Sequence, residues 1–289
     1  MLVPGMNHKP PIGPNTRLCM SLSARPSYFG SCFHNRLYAL LGLDFVYKAF
    51  KTTDLEGVVR GIRALEIRGC AISMPFKEAV IPLLDQLAAS ATAIGSVNTI
   101  VNDGTMLTGY NTDYGAIVTL LDKAGIAPST PFLLRGAGGM AKAVAAALRD
   151  RGHKTGTIIA RNKIKGPALA ALYGFDWAPD CGARNASLLI NATPLGMTGP
   201  EAEALAFSHA QIQAAETVFD VVALPAETPL LRAARNAKRQ TITGAEVGVL
   251  QAVEQFVLYT GLRPSDDQIA QAAAYAAAMR DAHTERLIF

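Results

Sequence analysis

The sequence predicts an α/β protein of two domains, each organised on a parallel sheet. Three observations predict it. The chain has 289 residues, half of them hydrophobic, which is too long for one compact doubly wound unit and short for three domains. Two successive blocks alternate apolar β-type runs with amphipathic helical segments. A glycine-rich turn stands between a strand and a helix at the head of the second block.

The elements of the first block follow in order. The first sixteen residues, rich in Pro, Gly and Asn, read as a flexible lead-in. Leu18 to Ser21 is a short apolar run and the candidate first strand. Cys32 to Leu41 carries Phe33, Leu37, Leu40 and Leu41 on one helical face. Phe45 to Phe50 reads as a strand, and Thr53 with Glu56 as a capping box opening a helix that Gly69 ends. Cys70 to Met74 is a third strand, after which Pro75 is expected to open another helix. This βαβαβ alternation implies parallel strands with right-handed crossovers. Ser96 to Val101, the turn Asn102-Asp103-Gly104 and Thr105 to Gly109 make a hairpin. A helix then runs from Asp113 through Ile117, Leu120 and Leu121.

In the second block, Phe132-Leu133-Leu134 is a strand, and the next helix carries Met140, Val144, Ala147 and Leu148 on one stripe. Strands are expected at Thr157 to Ala160, Ser187 to Ile190 and Val218 to Val222. From Gly244 the chain is helical and Ala-rich, with Pro264 between two helices.

Composition narrows the function classes. Charged residues are 17% of the chain and the formal charge is +4. With no Lys/Arg block and no basic stripe interleaved with aromatics, nucleic acid is not an expected partner. Cys19, Cys32, Cys70 and Cys181 form no C-x-x-C pair and fall on different elements, so neither a disulfide framework nor zinc is expected, and no other metal-ligand spacing appears. Cys70 reads as a small buried hydrophobe. No secretory signal pattern and no apolar run of roughly 18–20 residues appears, so no membrane association is expected and a cytoplasmic location is.

Four segments carry candidate chemistry. Gly136-Ala137-Gly138-Gly139-Met140-Ala141, between a strand and a helix, fits a dinucleotide-binding turn of Rossmann type. Its glycines admit a pyrophosphate, and the helix N-terminus offers free N–H groups. After the next strand, where NAD-binding folds commonly place an acid, stands Ala160-Arg161-Asn162-Lys163-Ile164-Lys165. Its three cations suit the 2′-phosphate of NADP; the stretch also fits a solvated helix start. Ser73-Met74-Pro75-Phe76-Lys77 puts a lysine beyond the carboxyl end of a parallel strand, where α/β sites lie, or simply a surface charge there. Gly109-Tyr110-Asn111-Thr112-Asp113 puts an acid at a helix start, as a cap or as a catalytic group.

Taken in order, these segments resemble the shikimate dehydrogenases. The family's motifs are matched by Ser21-Leu22-Ser23, His34-Asn35, Ile72 to Lys77, Val97-Asn98-Thr99, Asn111-Thr112-Asp113, the glycine turn, Asn191-Ala192-Thr193 with Gly196-Met197, Thr228 to Leu231, and Gln251. The resemblance spans about residues 18 to 263 and implies a substrate domain over 1–112, to which helices of 246–289 return, and an NADP-binding domain over 113–245. It implies a place in the chorismate pathway of aromatic amino acid biosynthesis, with NADP as cofactor and NAD as the alternative. Lys77 and Asp113 become the catalytic pair, a neutral lysine taking the hydroxyl proton as hydride leaves and the ammonium returning it. Ser21 and Ser23 are assigned to the substrate carboxylate, and Ser73, Asn98 and Gln251 to ring hydroxyls. Gly136, Ala137, Gly138, Gly139, Met140, Ala160, Arg161, Asn162, Lys163, Thr193, Val221 and Gly244 are assigned to the cofactor.

Departures place the chain with the divergent, shikimate-dehydrogenase-like branch. Met20 stands where the family has His, and residues 24–30 enlarge the following loop, bringing Arg25 and Tyr28 as alternative ligand contacts. Ala71 and Ala223 replace a usual Asn and Tyr, Ser73 a usual Thr, and Tyr114 a common Gly. The expected substrate is a shikimate-like carboxylate, turned over slowly, by a monomer or homodimer. The alternatives are a quinate- or aminoshikimate-type dehydrogenase, or a ligand-binding regulatory protein of the same fold.

Overall fold

A computed structural model describes residues 9–286 apart from Arg25 and Ser27, with side chains up to residue 279. The first eight residues of the expected lead-in, and Arg25, lie outside the described residues. The chain forms two compact units. One runs to Thr112 and resumes at Ala252; the other spans Asp113–Gln251. Both are α/β.

In the first unit, β1 (Arg17–Ser23) pairs in parallel with β2 (Phe45–Lys51) and with β3 (Gly69–Ile72), through α1 (Tyr28–Leu41) and α2 (Leu55–Ala64). Beyond β3 follow β4 (Gln86–Leu87), α3 (Ala89–Thr92) and the antiparallel hairpin of β5 (Thr99–Asn102) and β6 (Leu107–Tyr110). The sheet order is β2-β1-β3-β5-β6-β4, and β3 meets β5 antiparallel. Val59 and Ile62 of α2 pack with Met20, Leu22, Cys70, Ile72 and Ile100 from the sheet. Cys70 is thus a core residue.

Four local expectations need correction. Residues 9–16 are not a loose lead-in throughout, because the Thr16 hydroxyl donates to Asp44 at 2.6 Å. Tyr28, Phe29 and Gly30 belong to α1 rather than to an enlarged loop; Phe29 stacks on Phe33 at 5.5 Å and lengthens the helix's apolar face. The cap of α2 is Asp54, whose carboxylate accepts from the Gly57 N–H at 2.7 Å, so Thr53 is not the cap. That helix stops at Ala64, and Gly69 opens β3 instead of ending a helix; a Cβ there would lie 2.2 Å from the Tyr259 ring.

Pro75 opens no helix either. Turns lead from residue 74 into a 3₁₀ turn at Ile81–Leu83. A helix begun at Pro75 would carry Pro82 in its third turn, where the missing N–H and the ring clash break the ladder.

Aromatic rings fill the space between α1, β2 and the end of the chain. His34 is fully buried and stacks on Tyr47 with centroids 4.4 Å apart. Its neighbour Asn35 locks α1 to β2, accepting from the Tyr47 N–H at 3.0 Å and donating to the Tyr47 carbonyl at 2.7 Å. The His34-Asn35 pair is therefore structural in this unit. Burial lowers the His34 pKa from 6.5 to about 3, partly offset by Gln255. The unfolded chain accepts this proton below pH 6.5 and the folded chain refuses it. His34's contribution is therefore complete above about 6.5 and lost as pH falls toward about 3, with a slope approaching about 1.4 kcal/mol per pH unit. Denaturant titrations of His34→Phe between those limits are expected to lack this slope; a slope equal to the parent's contradicts the burial argument.

The linker and the second unit begin with α4 (Thr112–Lys123). Then come β7 (Phe132–Arg135), α5 (Gly139–Asp150), β8 (Gly156–Ile159), α6 (Lys165–Tyr173), β9 (Asp176–Ala178), β10 (Leu188–Asn191), α7 (His209–Ala214), β11 (Thr217–Asp220), α8 (Pro229–Asn236) and β12 (Gln240–Thr243). All strands are parallel in the order β12-β11-β10-β7-β8-β9. From β7 the chain runs outward on one side through β8 and β9, and from β10 on the other, so β7 and β10 flank the switch point where such sheets bind ligands. The chain continues in α9 (Gly244–Thr260) and α10 (Asp266–Arg286), the latter packed against α1.

Candidate active site

The first unit gathers its candidate residues at the carboxyl ends of β1 and β3. Ser21 and Ser23 share one face of β1, two residues apart, half-buried and buried respectively. Ser21 lies in register with Ala71 of β3. Beyond β3, the Ser73 N–H donates to the Leu22 carbonyl at 2.9 Å, which brings exposed Ser73 beside the end of β1. Lys77, half-buried, is tied by its backbone: its carbonyl accepts from the Val97 N–H at 2.9 Å. The Asn98 carbonyl accepts from the Ile72 N–H at 2.7 Å, completing the cluster.

Asn98 is fully buried, and its side chain is committed on one side only. Oδ1 accepts from the Thr112 N–H and the Thr99 hydroxyl, each at 2.8 Å, and from the Thr112 hydroxyl at 3.2 Å. Nδ2 has no hydrogen-bond partner among the described residues. An unmet buried donor costs about 1–3 kcal/mol, which marks Asn98 as a donor awaiting an acceptor. Asn98 also supplies the first acceptor for α4, in place of the self-capping expected from Thr112 or Asp113. Asp113, buried, is the next residue along the helix. Behind Asn98, Gln255 of α9 donates to the Asn98 carbonyl at 3.4 Å and to Thr99 at 3.1 Å. Gln251, one turn earlier, is half-buried and belongs to the second unit, as does Asp113.

The second unit holds a pocket of about 680 Å³ at its switch point. Its lining includes Gly136, Ala137, Gly138, Ala160, Arg161, Asn162 and Thr193 from the sequence-based set. Gly136 has φ of 130°, and a Cβ on it would lie 2.7 Å from the Ala192 carbonyl oxygen, so no other residue fits that crossing. Gly138 caps α5 without a side chain, which leaves the first N–H groups of the helix for an anion. The Asn162 carboxamide ties the turn that leads into α6, accepting from the Ile164 and Lys165 N–H groups at 2.9 and 2.8 Å. Arg161 and Lys165 line the pocket; Gly139, Met140, Lys163, Val221 and Gly244 are not among its lining residues. Gly244 instead lets α9 start against the backbone, since a Cβ would lie 2.4 Å from the Val221 carbonyl oxygen.

Residues 29–100 match the family model described as the shikimate dehydrogenase substrate binding domain. A shikimate dehydrogenase-like protein from Haemophilus influenzae is 54% identical over 266 residues, covering 92% of this chain and 98% of that one. The chain belongs to the shikimate dehydrogenase family. Among solved structures, shikimate 5-dehydrogenase from Thermus thermophilus in complex with NADP(H) and shikimate matches with a TM-score of 0.81 and 31% identity, over 90% of this chain and 99% of that one. Quinate dehydrogenase from Corynebacterium glutamicum in complex with NAD matches with a TM-score of 0.82 and 28% identity, over 91% and 99%. Among the described residues, no helix is long and apolar enough to cross a membrane.

Several residues of the pocket and of the cluster around Asn98 escaped the sequence reading. Arg135, Pro179, Leu195 and Glu201 line the pocket, and Gln255 backs Asn98. For Gln255 a signal existed: it follows Gln251 by four residues and shares its helical face. For Arg135 the only signal was a charge closing an otherwise apolar strand. Tyr28 opens α1 and is 47% exposed, so it remains reachable by a ligand.

Proposed function

We propose that this chain is an NADP-dependent dehydrogenase that interconverts a shikimate-type hydroxy acid and its ketone, shikimate and 3-dehydroshikimate being the reference pair. The observation that carries the reading is the wall of the second unit's pocket. Arg161 and Lys165 stand beyond β8, beside the glycine turn and the uncapped start of α5. That donor set fits a dinucleotide bearing a 2′-phosphate better than one with a free ribose hydroxyl. The names of similar shikimate dehydrogenases, which specify NADP, support the same cofactor. When bound, the nicotinamide supplies the hydride acceptor.

The protein's part is binding and proton transfer. Ser21 and Ser23 bind the carboxylate through their hydroxyls. Asn98 can only donate from its remaining Nδ2, so it holds a ring hydroxyl by that oxygen's lone pair, with Ser73 and Gln251 on the others. Lys77 takes the proton of the hydroxyl under oxidation and returns it in reverse, and Asp113 orients it.

Cofactor reduction by the purified protein, with a panel of cyclohexene and cyclohexane carboxylates, tests the proposal. Reduction with shikimate, quinate or an amino analogue supports it. NADP⁺ binding with no turnover on any member supports the regulatory reading instead.

Ala71 favours a second reading within the enzyme class. It lies beside Ser21 in the sheet and offers no polar group there; in the second unit Ala223, after β11, offers none either. Each absent hydrogen bond is worth about 0.5–1.5 kcal/mol. Shikimate oxidation is therefore expected to run roughly ten- to a hundredfold slower than in relatives carrying both side chains. Ala71→Asn should raise kcat/KM for shikimate about three- to tenfold. Vigorous parental activity on shikimate, unchanged by Ala71→Asn, removes this second reading.

A further inference from the structure

The pocket wall beside the glycine turn is held by a buried chain of hydrogen bonds. Asp220, at the end of β11, is fully buried and in register with Asn191 of β10. Its carboxylate accepts from the Asn191 amide at 3.0 Å, the Val222 N–H at 3.1 Å and the Thr228 hydroxyl at 2.6 Å. The Thr228 oxygen in turn accepts from the Leu231 N–H, which leaves its proton for Asp220. Asn191 turns its NH₂ toward Asp220 and toward the Leu195 carbonyl, 3.1 Å away, which can only accept, and its oxygen the other way. The far end agrees: the backbone N–H of Thr193 donates to Asn191 Oδ1 at 3.1 Å.

The Thr193 hydroxyl lies 2.6 Å from that same Oδ1, an atom that carries no proton. The hydroxyl proton is thus spent on Asn191. The Thr193 oxygen also accepts from the Leu195 N–H at 3.3 Å, and Thr193 lines the pocket. What the oxygen has left for a ligand is a lone pair.

We propose that Asn191, held between the Asp220 carboxylate and the Leu195 carbonyl, is a positioning residue that makes Thr193 an acceptor-only contact, one that takes a hydroxyl or amino donor of the bound nucleotide and not a phosphate oxygen. The phosphates are left to the N–H groups of the glycine turn and to Arg161 and Lys165. This rests on the reading of the pocket as a nucleotide site.

The test uses the full chain with NADP⁺ and NAD⁺ as probes. Thr193→Val keeps the shape and removes the oxygen; it is expected to weaken both probes alike, about three- to tenfold. Thr193→Ser, which keeps the oxygen, restores the parent's affinity. Asn191→Ser removes the acceptor of the Thr193 hydroxyl and weakens both probes in equal proportion. In all three variants the phosphorus NMR signals of bound NADP⁺ keep the parent's positions, which a general loosening of the pocket would not allow. A displaced phosphorus signal in Thr193→Val, or a loss confined to NADP⁺, puts Thr193 on a phosphate and overturns the inference. Parental affinity in Asn191→Ser overturns the role of Asn191. Should that variant fail to fold, Asn191→Thr, which cuts the same link with a residue suited to a strand, is expected to give the same uniform loss, and parental affinity there overturns it too. If the unaltered protein binds neither probe, the dehydrogenase reading falls and this inference with it, an outcome distinct from the others.

Discussion

Lys77→Ala is expected to lower turnover on the best substrate by about 10²–10⁴-fold, the usual worth of a positioned general acid–base, and to leave NADP⁺ affinity unchanged. The lysine belongs to the first unit and the glycine-turn pocket to the second. Its backbone carbonyl, bonded to the Val97 N–H, survives the substitution, so the fold around Asn98 should too. Steady-state kinetics beside a direct NADP⁺ titration checks both halves. Normal turnover removes Lys77 from the chemistry, and lost cofactor binding shows a disturbed fold.

Arg161→Ala should weaken NADP⁺ about ten- to a hundredfold and NAD⁺ far less. The range follows from about 1.5–3 kcal/mol for a charge-assisted hydrogen bond, with about 1.4 kcal/mol per tenfold. Lys165 lines the same pocket and keeps part of the attraction, so the loss should deepen in Arg161→Ala/Lys165→Ala. Titrations with both cofactors at one ionic strength check this, because added salt screens these contacts. Equal losses for the two cofactors would take Arg161 off the 2′-phosphate.

What was legible in the sequence was local. The Asp103-Gly104 turn, the apolar stripe of α5 and the glycine turn are each written in a few adjacent residues, and each forms as read. The start of α2 was misjudged by one residue because Thr52, Thr53 and Asp54 all offer cap chemistry, and only the bond from Gly57 to Asp54 selects among them. The helix expected after Pro75 failed on Pro82, a breaker already visible in the sequence.

The site was legible where a motif names its own residue and illegible where a role depends on a distant partner. Gln255 meets Asn98 across 157 positions, and Asp220 meets Thr228 and Asn191 only once three segments have folded together. Among the cations after β8, the sequence reading named Lys163, whereas Lys165 is the lysine that lines the pocket. The Asn162 carboxamide binds the Lys165 N–H, a contact across three residues that composition does not reveal.

The central claim is hydride transfer from a shikimate-type carbinol to NADP⁺. It is tested most directly by supplying substrates deuterated at the carbinol carbon and weighing the cofactor afterwards. Deuterium on the nicotinamide ring, accumulating about 10²–10⁴-fold more slowly with Lys77→Ala, is the predicted result. Unlabelled cofactor with every carboxylate tried, from a protein that binds NADP⁺, would contradict it.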